Sequence, residues 1–137
     1  MKDPVVVDSS VVVKWFIREE SDDAPALQLL KSLLEGKRDF IIPDLLFYEV
    51  GNVFLKKWSQ QLEKMRVSFD RLWHLPWFFM PLRQSLLSRA LEMASQYHIT
   101  FYDALFVATA ERAEASLVTA DLKLIARIKA FPFVQSL

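Results

Sequence analysis

Val5-Val6-Val7-Asp8-Ser9-Ser10, the opening of VVVDSSVVVKWF at residues 5–16, decides how the chain is read. Three β-branched residues in a row fit a short strand covered on both faces, and Asp8 ends it. Phe40 to Ile42, closed by Pro43, and Leu117 to Thr119 have the same continuous apolar character. Phe78 to Met80, between Pro76 and Pro81, predicts a fourth strand, and Phe133-Val134 a fifth. Helical patterns fill the intervals: Asp22 to Leu34, Asp44 (as N-cap) towards Ser59, Glu63 to Trp73, Gln84 to Tyr97, Thr100 to Ala113 and Asp121 to Lys129. Strands separated by helices imply right-handed crossovers and a mostly parallel sheet in an α/β fold. The excess of helices after the second strand predicts a helical excursion there.

The chain has 137 residues, which suits one domain spanning 1–137. Hydrophobic residues make up 53% and charged residues 25%, which excludes a disordered tail or a low-complexity linker. With no cysteine, disulfides, thiolate metal sites and a cysteine nucleophile are excluded. Lys+Arg and Asp+Glu are both 17, so no globally basic surface exists to grip nucleic acid. Such a partner needs a local patch or metal ions. The N-terminal segment lacks a clean apolar stretch and a small-residue cleavage site, and no stretch is long enough for a membrane span. The expected location is the cytoplasm.

Sheets of this kind place their sites at the carboxyl ends of strands. Asp8 and Asp121 follow two of the predicted strands and fall on one sheet edge. Each also reads as a helix N-cap, Asp8 where a strand turns into a helix. Asp103 follows Thr100 by three residues, as in a capping box, yet shares a face with Ile99, Phe106 and Val107. Glu49 sits among Leu45, Leu46, Asn52 and Val53 at helical spacing, with no basic residue one turn away. A glutamate in apolar surroundings costs free energy unless paired or coordinated. Lys56, two turns on, offers an ion pair as the bland explanation. If the four acids converge, each pair about 5 Å apart repels by roughly 3 kcal/mol at an effective dielectric near 20. A divalent cation cancels that repulsion. An all-oxygen set without His or Cys selects hard ions such as Mg²⁺ or Mn²⁺.

VVVDSSVVVKWF, PDLLFYEVGNVF, TFYDALFVATAE and LVTAD, in this order over nearly the whole chain, resemble the PIN-domain nuclease family, and within it the VapC-type toxins. The resemblance implies a three-layer α/β/α PIN-like fold with an acidic metal pocket at one sheet edge. It implies Asp8, Glu49, Asp103 and Asp121 as catalytic and metal-holding acids, with Ser10, Asn52 and Thr119 in support. It further implies a Mg²⁺- or Mn²⁺-dependent endoribonuclease, an RNA substrate, a cognate antitoxin protein and a homodimer. The alternative is a PIN-like RNA-binding or scaffold module without turnover. A phosphoaspartate pocket is disfavoured, because the residue two after Asp8 is Ser10 rather than a second aspartate.

Other features read more plainly. His74 and His98 lie outside the acidic motifs. The aromatic run Trp73 to Pro81 is either core or a hydrophobic patch for a second copy or an antitoxin segment. The charge run Arg18 to Asp23 reads as a solvated loop and helix start.

Overall fold

The computed structural model describes residues 1–18 and 23–137. The interior of the Arg18 to Asp23 charge run, and the expected helix start at Asp22, lie outside the described residues. In chain order the elements are β1 (Val5–Val7), α1 (Ser9–Phe16), α2 (Ala24–Leu34), β2 (Ile41–Ile42), α3 (Leu45–Lys57), α4 (Leu62–Trp73), β3 (Phe78–Phe79), α5 (Gln84–Tyr97), α6 (Phe101–Ala113), β4 (Ser116–Thr119), α7 (Leu122–Arg127) and β5 (Val134–Ser136). All strand pairings are parallel: β1 with β4, β4 with β5, and β2 with β3. A single parallel bridge between Val5 and Phe40 joins the two pieces, giving the spatial order β3-β2-β1-β4-β5. The α3–α4 pair is the expected helical excursion.

Val5, Val6 and Val7 are all fully buried. Neighbouring strand residues point to opposite faces, so helices must cover both sides of β1. One helical group is α5 packed on α6, with α6 against β1, β2 and β4; the other is α1 with α2 and α3. The α/β reading holds, and the strands at the two ends of the order show where full cover stops. Phe78 and Phe79 of β3 are 48% and 46% exposed, and Gln135 and Ser136 of β5 are also exposed. Each of these strands has only one neighbour. The aromatic run around β3 is therefore split: Trp77 is buried and stacks on Trp15 with ring centroids 5.9 Å apart, while Trp73, Phe78 and Phe79 face outwards.

Helix α1 is absent from the periodic helical patterns, although the N-cap reading of Asp8 requires it. Val11, Val12 and Val13 each cost about 0.5 kcal/mol against alanine in a helix. Burying a valine or larger side chain returns roughly 1.5–3 kcal/mol. Val11, Val12 and Trp15 are buried, so packing outweighs propensity. Trp15 also donates its indole N–H to the Ala26 carbonyl at 2.8 Å, tying α1 to α2.

Several boundaries differ from expectation. Asp44 does not cap α3 with its side chain; its backbone is helical and its carboxylate accepts the Tyr48 hydroxyl at 3.2 Å. Helix α3 stops at Lys57 because Trp58 leaves the helical conformation and stacks on Phe54 at 4.9 Å. Helix α7 ends at Arg127 rather than Lys129.

Candidate active site

The parallel sheet puts Asp8, after β1, and Asp121, after β4, on the same edge. Asp8 caps α1 and is 5% exposed. Its Oδ1 accepts from the Ser10 amide at 3.1 Å and from the Ser10 hydroxyl. Its Oδ2 accepts from the Thr119 hydroxyl. The two hydroxyls lie 3.3 Å apart, but each has one proton and spends it on Asp8. Their oxygens in turn accept backbone amides, Ala120 N–H to Ser10 Oγ and Asp121 N–H to Thr119 Oγ1, both at 3.0 Å. This lattice locks β1, α1 and the β4–α7 turn together and fixes the Asp8 rotamer.

Asp121 caps α7. One carboxylate oxygen accepts from the Lys123 and Leu124 amides at 3.0 and 3.1 Å. Thr100 caps α6 by accepting the Asp103 amide at 3.0 Å, which sets Asp103 in the first turn. Glu49, half-buried on α3, accepts the Ser9 hydroxyl on Oε1 at 3.1 Å. Ser9 is the functional contact that sequence reasoning missed; its place beside Ser10 in the first turn of α1 was the available signal.

The capping and functional readings of these acids are compatible. Caps at Asp8 and Asp121, and the serine bond at Glu49, occupy one carboxylate oxygen fully or in part. Among the described residues, Asp8 Oδ2 accepts one of the two donors an oxygen can take, while Asp121 Oδ2 and Glu49 Oε2 accept none. Each acid keeps acceptor capacity after its structural bond is made.

The charges are coupled and uncompensated. Burial pushes the Asp8 carboxyl above the ordinary range, partly opposed by its Ser10, Thr119 and Val11 bonds and reinforced by the charge of Asp103. Glu49 is raised by burial and then by the charges of Asp103 and Asp8, against the Ser9 bond. Asp103 is raised by burial and by the charge of Asp121. Among the described residues no lysine or arginine acts on any of the three. The ion pair of Glu49 with Lys56, the bland explanation that the spacing left open, is not formed among the described residues. Asn52, one turn past Glu49, is exposed and makes no hydrogen bond to the acids.

The donor set fits a hard divalent cation: four carboxylates, no soft ligand and no internal counter-charge. Among the described residues no three acidic or imidazole side chains close directly around one point.

Comparison with known proteins identifies the family and the fold. A curated relative, Ribonuclease VapC3 of Pyrobaculum aerophilum, is 28% identical over 130 residues, covering 92% of this chain and 95% of that protein. Among solved structures, VapBC2 from Rickettsia felis, bound to a DNA fragment from its promoter, matches with a TM-score of 0.73 at 16% identity, covering 98% of each chain. A toxin–antitoxin complex from Klebsiella pneumoniae matches at 0.67 and 21% identity, covering 96% of this chain and 95% of that one. The PIN domain family model matches residues 5–130. With nearly the whole chain matched, and with the parallel sheet carrying its acids on one edge, the chain belongs to the PIN domain family.

Proposed function

We propose that the protein is a Mg²⁺- or Mn²⁺-dependent endoribonuclease that hydrolyses RNA phosphodiesters, and that it is the toxin of a type II toxin–antitoxin pair. The observation that carries this reading is the group of four coupled carboxylates with spare acceptor capacity and no cation of their own. The ribonuclease name of the Pyrobaculum relative supports RNA as substrate. The Klebsiella complex supports an antitoxin partner.

Asp8, Asp103 and Asp121 would hold the metal or its waters through their remaining acceptor capacity. A bound divalent ion supplies Lewis acidity to the phosphodiester and lowers the pKa of an attacking water. Glu49 orients that water through Oε2, with Oε1 pinned by Ser9. Its raised pKa brings it closer to the operating pH, where a general base works best. Ser10 and Thr119 keep Asp8 in one rotamer. Asn52 supports the site from the open side of α3.

The reading places the protein in the cytoplasm, as a homodimer that an antitoxin inhibits. No helix among the described residues is long and apolar enough to cross a membrane. The groove of about 500 Å³ between α3 and α4, with exposed Leu55, Leu62 and Trp73, offers apolar surface for that partner.

Cleavage of a panel of single-stranded and structured RNAs with Mg²⁺, Mn²⁺ or EDTA tests the activity, comparing wild type with Asp8→Asn. Cutting should vanish in EDTA and in the variant. Full cutting by purified Asp8→Asn overturns the assignment. Mn²⁺ binding without cutting of any RNA favours the binding-module alternative.

A further inference from the structure

Sequence spacing left open an ion pair between Lys56 and Glu49. The pair does not form among the described residues, and that leaves a second, unused feature beside the site. Helix α3 runs unbroken from Leu45 to Lys57, so Glu49, Asn52 and Lys56 stand at i, i+3 and i+7. At 100° per residue they fall within about 60° of one another, with Lys56 roughly 10 Å beyond Glu49 along the axis. Glu49 is half-buried, and Asn52 and Lys56 are exposed. Neither Asn52 nor Lys56 has a hydrogen-bond or ion-pair partner among the described residues. Three other cations are committed elsewhere: Lys14 to buried Asp23 at 3.4 Å, Lys64 to the face of Trp58 at 4.5 Å, and Arg89 to Glu111 at 2.8 Å.

We propose that this face of α3 is the track along which a single strand of RNA leaves the acidic site, with Lys56 on a backbone phosphate and Asn52 on a sugar or base edge. The inference rests on the nuclease reading for its ligand class. The four carboxylates repel a polyanion, and bound metal offsets this only inside the pocket. Outward along the open helix face, the first positive charge is Lys56. Its distance from Glu49 corresponds to one or two nucleotides of an extended strand, so the phosphate it meets is not the one cleaved. One isolated cation with an amide between it and the acids suits a single backbone. A duplex would need basic groups on two sides.

The test is fluorescence anisotropy of a short fluorescein-labelled single-stranded RNA of mixed sequence over a KCl series. Ca²⁺ is present to offset carboxylate charge. Each phosphate contact on a single strand contributes about 0.7 to the slope of log K against log[salt]. Lys56→Gln should therefore flatten the slope by about 0.7 and weaken low-salt binding by roughly 3- to 10-fold. Asn52→Ala should weaken binding at every salt concentration without changing the slope. Lys37→Gln, at the amino end of β2 and so on the opposite sheet edge, should change neither. Equal slopes for wild type and Lys56→Gln overturn the track, as does absence of RNA binding by wild type. The nuclease reading is judged separately, by metal-dependent cleavage and its loss in Asp8→Asn. A metal-dependent nuclease whose salt slope ignores Lys56 loses only the track. Lys56-dependent binding without cleavage keeps the track and removes the nuclease.

Discussion

Helix α6 carries two carboxylates, two turns apart, in opposite electrostatic surroundings. At its C-terminal end, Glu111 accepts two bonds from the Arg89 guanidinium of α5, at 2.8 and 3.0 Å. Arg89 also bonds Glu92 at 3.0 Å. The guanidinium holds Glu111 below the usual glutamate range. At the N-terminal end, Asp103 is raised by burial and then by the charge of Asp121, and has no cation partner among the described residues. Where negative charge serves packing, the chain supplies the counter-ion and the geometry that makes the pair worthwhile. Around Asp103 it supplies hydroxyls and amides for neighbouring acids and leaves net charge standing. The contrast is what the proposed metal-holding role of the second group would require.

The most severe break of this contrast is neutralising one uncompensated acid. Asp8→Asn should reduce metal-dependent RNA cleavage to background, whereas Arg89→Ala should leave it near wild type; equal losses in a cleavage assay would show that the two groups do not differ in kind. Next in size is Thr119→Val, which keeps the buried shape but removes the hydroxyl between Asp8 and the Asp121 amide. Losing such a supporting partner should lower Mn²⁺ affinity by about 10- to 100-fold. It should also destabilise the fold by about 1–3 kcal/mol through the orphaned amide. Calorimetric titration and urea unfolding measure the two effects.

The pH dependence of stability separates the groups by sign. Asp8, Glu49 and Asp103 have folded pKa values above their unfolded ones. Their contribution is complete below the unfolded values, near pH 4, and is lost as pH rises through the folded ones. Glu111 is lowered, so its contribution is present above the unfolded value and disappears as pH falls through the folded one. The metal-free protein should therefore melt a few degrees higher at mildly acidic pH than at neutral pH, and Asp8→Asn should flatten this trend. Mn²⁺ should oppose it, because it binds the ionised carboxylates. Thermal melts with and without the ion check the signs, and a metal-free melting temperature that climbs steadily towards neutral pH would contradict the assignment of uncompensated charge. The smallest effect belongs to Arg89→Ala. Arg89 and Glu111 are 36% and 41% exposed, so the loss should be only about 0.5–1 kcal/mol and should shrink in salt.

Asp8, Glu49, Asp103 and Asp121 were legible as candidates because each departs from its local pattern: an acid ending a valine run, one inside an apolar helix, one on the apolar face of a helix with Ile99, Phe106 and Val107, and one after a strand. Their oxygen-by-oxygen division into capped and free was not legible. It depends on Ser9 meeting Glu49 from 40 residues away and Thr119 meeting Asp8 from 111 residues away. The same limit applies to Lys56. Sequence spacing allowed a pair with Glu49, and only the side-chain environment shows Glu49 bonded to Ser9 instead.

By itself the sequence determined what local chemistry can determine. Apolar runs marked β1, β2 and β4, period and caps marked α5 and α6, and four acids out of keeping with their surroundings marked the candidate site. Tertiary structure decided the rest. It made a helix of the valine-rich α1, because burial of Val11, Val12 and Trp15 outweighs the helix cost of β-branching. It left β3 exposed, because that strand is last in the sheet order and has one neighbour. It brought Asp8 and Asp121 to one edge, because β1 and β4 pair in parallel and in register from Val5–Ser116 to Val7–Val118. Strand order and register come from contacts between residues far apart in the chain, and no local pattern encodes them.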